Sequence, residues 1–282
     1  MIQTGYNRDN KDDFPIPKIV HLSYKSEEQI LPEWKDVIPA WKKTNPSWEI
    51  KFWSDKDNED LVKNEFPWFY DTYKNFKYNI QRADAVRCCY LFKYGGLYID
   101  MDYLPINKID KLFYNEVNNK NVNDNQIYIT LNSSGVYFVN SFMASKPGCD
   151  FWLKYLKKIM KAKTKWYWTK TFEVFYTTGP FILTKCIKNS AMTFGFISPK
   201  LIHKCDICEL QEDSNDNICM SIYFKRIKGQ SWYGNDIRIF NTIFCNKYKS
   251  LLLLLILLYI LFYFSSKNYI CKYSCGISKC RK

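Results

Sequence analysis

The chain has 282 residues, with 41 Lys and Arg against 28 Asp and Glu, which gives a formal net charge of +13. Hydrophobic residues make up 47% of the chain and aromatic residues 18%, so the composition supports a large core and excludes wholesale disorder. Five of the positive charges lie after residue 266, next to an apolar run. This distribution favours a membrane surface, and we predict no nucleic-acid partner.

Predicted strands alternate with predicted helices along the chain. The predicted strands cover residues 18–24, 48–53, 97–99, 127–131 and 136–139. The predicted helices cover residues 33–43, 80–94, 150–161 and 180–188, with two further helices that start after Asp55, as the N-cap, and at Pro67. Asn79 is the predicted cap of the 80–94 helix. The alternation is typical of an α/β domain with a largely parallel sheet.

The apolar run covers residues 251–264 and carries no charge. At about 1.5 Å per residue it spans roughly 21 Å, less than the roughly 30 Å of a bilayer core, and the flanking serines lengthen it. A buried core helix is the alternative, but the run is apolar on every face. We therefore predict a polar lead-in (1–15), a folded domain (16–245), a single-pass membrane-anchor helix (246–266) and a basic, Cys-containing tail (267–282). The lead-in lacks the apolar stretch of a signal peptide, so the anchor is expected to direct membrane targeting.

Eleven cysteines is an odd number, so they cannot all pair with one another. His203, Cys205, Cys208 and Cys219 have a spacing that allows a zinc site. A disulfide or free thiols are the alternatives. The adjacent cysteines 88–89 lie in an apolar helical pattern and are predicted to be core residues.

The sequence GGLYIDMD places Asp100 and Asp102 directly after a buried strand. Ligands bind at this end of the strands in α/β sheets. Two carboxylates suit Mg²⁺ or Mn²⁺, which complete their coordination with substrate phosphates, whereas without a cation one carboxyl group would tend to protonate. Asp55 and Asp57 have the same spacing, but they lie where a helix begins and are predicted to cap it.

Asp84 and Arg87 are three residues apart on the predicted 80–94 helix, so they share one face of it. Arg82 and Arg87 lie on either side of the aspartate in sequence. The motif is either a surface ion pair or a site in which arginine reads a phosphate and aspartate accepts a ribose hydroxyl. The spacing leaves both interpretations open.

Several segments resemble the DXD-containing glycosyltransferase sugar-binding region family, in particular its fungal inositol phosphorylceramide mannosyltransferases. They are IPKIVHLSYK, WEIKFWSDKD, FPWF, IQRADAVRCCYLFKYGGLYIDMD and TTGP, with SFMASKPG and SWYGND further on. The resemblance covers about residues 16–236. It implies an A-type glycosyltransferase fold, a Rossmann-like α/β sandwich that binds a nucleotide sugar. It also implies a retaining hexosyltransferase, with GDP-mannose as the favoured donor and a lipid such as inositol phosphorylceramide as the acceptor.

The resemblance also implies roles for individual residues. The implied catalytic residues are Asp100, Asp102 and Arg87. The implied ligands of Mn²⁺ (or Mg²⁺) are Asp100, Asp102 and Asp236. The implied donor-binding residues are Tyr24, Asp84, Arg87, Gly96, Ser231 and Trp232. Asn140 is implied on the acceptor side. The chain departs from the family at Tyr233, where a His is expected, and at Ser141, which relatives often replace with Asp.

The implied partners are a nucleoside-diphosphate sugar, a lipid acceptor and a membrane. The resemblance also leaves open a regulatory membrane subunit. The expected location is the Golgi or endoplasmic reticulum membrane. Its sidedness stays open, since the basic tail and the missing signal peptide point in opposite directions. Two alternatives are a toxin-like transferase that glycosylates protein hydroxyl groups and a degenerate, non-catalytic membrane protein of the same fold.

Overall fold

The computed structural model describes residues 14–114, 127–203, 219–227, 234–245 and 251–263, with residues 205, 208, 229 and 248. The chain divides into two compact units, Met1–Trp232 and Tyr233–Lys282. The boundaries predicted at residues 15, 245 and 266 stay predictions.

A six-stranded sheet and a two-stranded sheet form the framework of the first unit. The strands are β1 Ile19–Ser23, β2 Glu49–Trp53, β3 Gly96–Ile99, β4 Tyr103–Pro105, β5 Ile127–Leu131, β6 Phe138–Ser145, β7 Phe194–Ile197 and β8 Phe224–Arg226. The order in the large sheet is β2-β1-β3-β6-β5-β7, and β4 pairs with β8 in the small one. The predicted α/β class is therefore confirmed.

The large sheet is mixed, whereas the sequence predicted a largely parallel one. The pairs β1–β2, β1–β3 and β5–β7 are parallel, but β6 is antiparallel to both β3 and β5. The cause is a tight hairpin between β5 and β6. Asn132 accepts hydrogen bonds through its side-chain Oδ1 from the backbone N–H groups of Val136 and Tyr137, and Gly135 has a φ of +72°. So short a connection reverses the chain direction.

Helices cover the large sheet. In chain order they are α1 Val37–Thr44, α2 Asp55–Glu65, α3 Pro67–Lys74, α4 Asn79–Lys93, α5 Asp110–Tyr114, α6 Asp150–Met160, α7 Lys170–Thr177, α8 Pro180–Lys188 and α9 Pro199–Ile202. A 3₁₀ turn at Pro32–Trp34 replaces the first part of the helix predicted over 33–43. Proline at the first position of α3, α8 and α9 suits a helix start, because its missing N–H has no partner there anyway.

Local capping fixes the starts of α2 and α4. The Ser54 hydroxyl accepts the Asp57 N–H, and the Asp57 carboxylate accepts the Ser54 N–H, so Asp57 caps the helix as predicted, whereas Asp55 takes no part in the capping motif. The N-cap itself is Ser54, one residue before the predicted Asp55. The prediction that Asn79 caps α4 was wrong by one residue, because Tyr78 occupies the N-cap position.

Alternate side chains of the strands enter two hydrophobic clusters, one on each face of the sheet. Tyr98 lies in the cluster under α4, whereas its strand neighbours Leu97 and Ile99 lie in the other. Cys88 and Cys89 are fully buried, which confirms their predicted place in the core. Because β3 is buried on both faces, it is held rigidly. The backbone position of the residues that follow it is therefore fixed.

The glycine pair between α4 and β3 is required by the backbone. Gly95 and Gly96 have φ angles of +65° and +86°, which side chains disfavour. A Cβ atom on Gly96 would lie 2.5 Å from the carbonyl oxygen of Ile19 in β1. The glycines therefore end α4 and allow β3 to lie directly against β1.

His21 is a buried structural residue of β1. Its Nε2 lies 2.8 Å from the Gly95 carbonyl oxygen, and the Trp53 indole N–H lies 3.1 Å from its Nδ1. These partners fit the neutral ring with the proton on Nε2, which donates to Gly95 while Nδ1 accepts from Trp53. Burial, reinforced by nearby Lys51, lowers the pKa of His21 to about 4.

The lowered pKa predicts acid sensitivity. Between pH 6.5 and 4 the unfolded state binds a proton at His21 that the folded state excludes, so stability falls as pH falls through this range. In urea unfolding from pH 7 to pH 4, the wild type is expected to lose about 3 kcal/mol more than His21→Asn. The variant starts less stable, so the comparison is between slopes. Parallel curves would contradict the assignment.

The zinc interpretation of the cysteine cluster was wrong. Cys205 and Cys219 form a disulfide, and Cys208 is also disulfide-bonded. The ring nitrogens of His203 lie within hydrogen-bond distance of the Tyr103 hydroxyl and the Leu131 carbonyl oxygen. Zinc binds thiolates and free imidazole nitrogens. The sulfur atoms of Cys205, Cys208 and Cys219 are instead in disulfides, and both ring nitrogens of His203 have other partners.

The Cys205–Cys219 bond closes a loop of 14 residues shortly before β8. Cross-linking a loop of this length stabilises the folded state by about 3 kcal/mol in the chain-entropy account. The Cys205→Ser/Cys219→Ser variant is expected to lose stability by about that amount in urea unfolding. Unchanged stability, or zinc in the wild-type protein by elemental analysis, would contradict the disulfide.

The second unit contains α10 (Asn235–Phe244) and a helical segment at residues 251–263. All 13 apolar side chains of that segment are 41–73% exposed. Among the residues that the structure describes, no helix is both long enough and apolar enough to cross a bilayer. The rest of the predicted anchor, apart from residue 248, lies outside the described residues.

Candidate functional site

Asp100 emerges at the edge of the sheet where three parallel strands end. It follows β3 directly, and its backbone N–H donates to the Ser141 carbonyl oxygen of β6 at 3.0 Å. Its side chain is 30% exposed, so it faces solvent from a fixed backbone. The Tyr98 hydroxyl donates to Asp100 Oδ1 at 2.8 Å. One carboxylate is thereby oriented at the carboxyl ends of β1, β2 and β3, where α/β sheets bind ligands.

Arg87 projects from α4 and ties the helix to this edge. Its Nη2 lies 3.3 Å from Asp100 Oδ1 and 3.2 Å from Asp84 Oδ1, and its Nη1 donates to the Asn140 carbonyl oxygen at 2.7 Å. The Nε donates to the Ala83 carbonyl oxygen at 3.2 Å. The guanidinium group therefore donates to two backbone carbonyl oxygens, and its Nη2 forms ion pairs with both carboxylates. The buried cation offsets two carboxylates and holds Asp100 in place.

Asp84 is deeply buried beside Arg87. Asn140 Nδ2 donates to its Oδ1 at 2.9 Å, and the Thr178 hydroxyl donates to its Oδ2 at 3.1 Å. Burial raises the pKa of Asp84 to about 6, although Arg87 opposes that shift. The interpretation of Asp84 and Arg87 as a surface ion pair was therefore wrong. The pair is part of an enclosed polar network.

Asp102 carries the second carboxylate, and its two oxygens have different surroundings. Arg226 of β8 donates to Oδ2 through Nε at 3.2 Å and through Nη2 at 3.0 Å. Asp102 Oδ1 is buried and has no hydrogen-bond partner within the described part of the protein. Burial raises the pKa of Asp102, and Arg226 opposes that shift. An unpaired buried carboxylate oxygen is costly, and a cation would relieve the cost.

The donor set fits a divalent cation that relies on its substrate for further ligands. Asp100 and Asp102 supply hard oxygens, of which Asp102 Oδ1 is unpaired. Over the described ranges, no cluster of three or more His, Cys, Asp or Glu side chains could hold a metal ion. Mg²⁺ and Mn²⁺ sites often have one or two protein carboxylates, with phosphate and water completing the shell.

Gly229 lies against the Asp102 carboxylate. A Cβ atom there would approach Asp102 Oδ2 to 2.4 Å and Asp102 Cγ to 2.9 Å. Real side chains do not make such contacts, so Gly229→Ala must shift either the carboxylate or the backbone at residue 229, and we expect the Asp102 carboxylate to be displaced. The hexosyltransferase activity that the family resemblance implies is expected to fall by about 100-fold, which is the usual effect of misplacing a catalytic group by about 1 Å. The free energy of unfolding is expected to fall by about 1–3 kcal/mol.

Gly135→Ala is the control for this substitution, because it adds a Cβ atom that makes no contact. Gly135 has a positive φ, at +72°, which Gly229 does not, and a Cβ atom there meets no atom within 4 Å. Gly135→Ala is expected to lower the free energy of unfolding by roughly 1 kcal/mol, measured in urea, and to leave turnover unchanged. Equal turnover of Gly229→Ala and Gly135→Ala would show that the position of Asp102 does not matter.

The family described as glycosyltransferase sugar-binding region containing DXD motif matches residues 32–124, which include Asp84, Arg87, Asp100 and Asp102. The predicted family resemblance is confirmed. Mannosyl phosphorylinositol ceramide synthase SUR1 of Saccharomyces cerevisiae is 29% identical over 229 residues, covering 81% of this chain and 54% of the relative. Inositol phosphoceramide mannosyltransferase 2 of Schizosaccharomyces pombe is 27% identical, covering 79% and 60%.

A viral protein and a solved domain extend the comparison. The uncharacterized glycosyltransferase L373 of Acanthamoeba polyphaga mimivirus is 24% identical, covering 83% of this chain and 90% of the relative. The PaToxG glycosyltransferase structure has a TM-score of 0.46 and 15% identity, covering 61% of this chain and 69% of that one. The chain spans little more than half the length of the two yeast relatives.

The structure brings together Asp84, Arg87, Asp100 and Asn140, four of the residues that the resemblance implied for the site, and Asp102 follows Asp100 by two residues. Tyr24 follows β1 at the same sheet edge and packs edge-on against Trp34, with ring centroids 5.3 Å apart. Its proposed stacking on a nucleobase stays a prediction.

Of the implied donor-binding residues that the structure describes, Gly96 is not part of this cluster. It begins β3, roughly 13 Å along the strand from Asp100, and packs against β1. Ser231 and Trp232 lie outside the described residues, as does Tyr233. Asp236, an implied metal ligand, lies in the first turn of α10 in the second unit.

Sequence reasoning missed Thr178, Arg226 and Gly229. Thr178 belongs to the TTGP segment that carried the resemblance, so its position gave a weak signal. Arg226 and Gly229 lie more than 120 residues after Asp102, and no local pattern links them to it. Their contacts depend on the pairing of β4 with β8, in which Tyr103 lies opposite Arg226.

Proposed function

We propose that the chain is a metal-dependent hexosyltransferase with an A-type glycosyltransferase fold, which moves a hexose from a nucleoside diphosphate to a hydroxyl group of a membrane lipid. The observation that carries the proposal is the placement of Asp100 and Asp102 directly after β3, with Arg87 beside Asp100 at 3.3 Å. The parallel strands β2, β1 and β3 support it, because nucleotides bind where such strands end.

The proposed ligands of Mn²⁺ or Mg²⁺ are Asp100 and Asp102, and the unpaired Asp102 Oδ1 supports this role. Diphosphate oxygens and water would complete the coordination. Asp236 stays a proposed third protein ligand. The metal ion would offset the negative charge that develops on the departing diphosphate.

The protein residues around this edge would hold and orient the donor. Arg87 fixes the Asp100 carboxylate and adds a positive charge near the diphosphate. Asp84 is engaged by Asn140 and Thr178, so we propose that it acts mainly by positioning Arg87. Tyr24 would stack on the base, and Ser231 and Trp232 would contact the diphosphate. The proposed transfer retains the anomeric configuration without a protein nucleophile.

The proposed sugar and acceptor follow the names of the relatives. Two yeast relatives are named as a mannosyl phosphorylinositol ceramide synthase and an inositol phosphoceramide mannosyltransferase. We therefore propose mannose from GDP-mannose as the transferred group and inositol phosphorylceramide as the acceptor. Asn140, whose side chain meets Asp84, would lie on the acceptor side.

The proposed location is the membrane of the Golgi or endoplasmic reticulum, with the first unit in the lumen. The Cys205–Cys219 disulfide supports an oxidising compartment. The exposed apolar helix at residues 251–263 supports attachment to a membrane through the predicted 246–266 anchor. A regulatory membrane subunit stays a prediction.

The test is a donor and acceptor assay on the full chain in detergent. Radiolabelled GDP-mannose, Mn²⁺ and inositol phosphorylceramide are expected to give a labelled lipid on thin-layer chromatography, and a chelator is expected to abolish it. Parallel reactions replace the donor with UDP-glucose or the lipid with a protein acceptor. Label in protein would support the toxin-like alternative, and no transfer from any donor would support a non-catalytic protein.

A further inference from the structure

One stretch of the first unit is rich in lysine and contains no acidic residue in its sequence. From residue 151 to residue 172 the chain has seven lysines and no Asp or Glu. The lysines are Lys154, Lys157, Lys158, Lys161, Lys163, Lys165 and Lys170. The next acidic residue, Glu173, is buried, and Lys77 Nζ lies 3.4 Å from its carboxylate. This stretch therefore presents a continuous positive field.

Aromatic rings are exposed within the same stretch and just after it. Trp166 is 95% exposed, Tyr167 57% and Tyr176 46%. The rings contact each other, with centroids 5.6 Å apart for Trp166 and Tyr167 and 5.3 Å apart for Trp168 and Tyr176. Lys165 Nζ lies 5.6 Å from the Tyr167 ring centroid. The rings thus form a surface cluster together with lysine side chains.

The most exposed ring of this cluster, Trp166, contributes little to the stability of the first unit. A tryptophan that is 95% exposed adds almost no buried area, and large exposed apolar groups beside polar ones mark interaction surfaces. Trp and Tyr rings next to Lys are the side chains that collect at the boundary between lipid headgroups and water. We propose that residues 154–176, here called the aromatic–lysine surface, bind the headgroup layer of a membrane that contains anionic lipids.

The composition favours lipid over single-stranded nucleic acid. All seven cations are lysines, whereas the planar fork of arginine is the usual choice for nucleic-acid phosphates. Proteins that bind single strands present open ring faces for bases along a groove. Here the rings of Trp168 and Tyr176 stack on each other. Lysine ammonium groups instead act as point charges toward a layer of anionic headgroups.

The aromatic–lysine surface is directly connected to the candidate site. It ends in α7, and the residue after α7, Thr178, donates to Asp84 Oδ2 at 3.1 Å. A membrane bound there would bring lipid hydroxyl groups toward the edge that carries Asp100. This consequence rests on the proposed function, whereas membrane binding itself does not.

The first test measures partition of the full chain onto vesicles of phosphatidylcholine, with or without 30 mole per cent phosphatidylserine. The 251–263 helix is apolar, so it contributes equally with both vesicles, and the ratio of the two partition coefficients isolates the charge effect. Lys163→Gln/Lys165→Gln is expected to lower that ratio about 25-fold, or about fivefold per lysine. The control Lys42→Gln/Lys43→Gln removes two exposed lysines of α1 and is expected to leave the ratio unchanged.

The second test follows tryptophan fluorescence with brominated phosphatidylcholine in the anionic vesicles. Trp166→Phe is expected to lose part of the bromine-dependent quenching, because the Trp166 ring enters the headgroup layer. The control Trp68→Phe removes a tryptophan of α3 that is 42% exposed, and quenching is expected to stay at the wild-type level. Thermal unfolding confirms that each variant is folded.

Two outcomes would overturn the inference. One is equal quenching of wild type and Trp166→Phe together with a partition ratio unchanged in the lysine variant. The other is tight binding of a dT20 oligonucleotide that the lysine variant loses while vesicle binding persists. Transfer in detergent separates the two proposals, because a failed membrane contact leaves it intact, whereas a failed hexosyltransferase leaves vesicle binding intact.

Discussion

Replacing Arg87 with methionine is expected to destabilise the first unit by about 3–5 kcal/mol, because two carboxylates lose their buried cation. Arg87 is 5% exposed and lies 3.2 Å from Asp84 and 3.3 Å from Asp100. Water cannot replace the charge beside Asp84, which is 5% exposed, whereas Asp100 is 30% exposed and keeps partial solvation. Urea unfolding measures the effect, and sugar transfer is expected to be lost as well because Asp100 is no longer held.

Arg82→Met is the matched control on the same helix. Arg82 is half-buried and donates to the Phe76 carbonyl oxygen and the Asn79 side chain, so its loss is expected to cost about 1 kcal/mol. A further variant, Arg87→Met/Asp84→Asn, removes one of the two stranded carboxylates and is expected to recover part of the stability. A loss of the same size in both single variants, or no recovery, would contradict a buried charge network.

Asp102→Asn is expected to lower metal-dependent transfer at least 100-fold while the protein stays folded. The amide oxygen can still accept from Arg226, whose side chain is 22% exposed and has access to water. The negative charge available at Asp102 Oδ1 is lost. The measurement is initial rate against Mn²⁺ concentration, with the unfolding midpoint as the check on folding.

The other Asp-x-Asp pair, Asp55 and Asp57, provides the control within the same chain. Asp57→Asn weakens the capping motif of α2 and is expected to cost about 1 kcal/mol of stability without a change in transfer. If Asp57→Asn and Asp102→Asn lowered the transfer rate equally, the two Asp-x-Asp pairs would not differ in function. That result would contradict a specific role for Asp102 in the site. Full activity of Asp102→Asn would exclude it as a metal ligand.

Features with local causes were predictable from the sequence. The capping role of Asp57 follows from a serine three residues earlier, and the end of α4 follows from the glycine pair. The edge position of Asp100 follows from a short apolar strand. Each of these depends on fewer than ten neighbouring residues, and each is observed.

Features with long-range causes were not predictable. Arg226 meets Asp102 across 124 residues, and Thr178 meets Asp84 across 94. The antiparallel direction of β6, by contrast, has a local cause: the predicted strands 127–131 and 136–139 are four residues apart, which is too short for a parallel crossover. The disulfide was one of three interpretations of the cysteine spacing, beside a zinc site and free thiols. Only the folded structure distinguishes them. Burial of Arg87 likewise depends on helices packed from elsewhere in the chain.

The central claim is that Asp100 and Asp102 bind a nucleoside diphosphate through a divalent cation. Calorimetric titration of GDP and of UDP into the full chain, with Mn²⁺ or with a chelator, tests it most directly. We predict that at least one of the two nucleotides binds in a Mn²⁺-dependent manner, that Asp102→Asn abolishes this binding and that Asp57→Asn leaves it intact. Binding that persists with the chelator, or the absence of binding by the wild type, would contradict the claim.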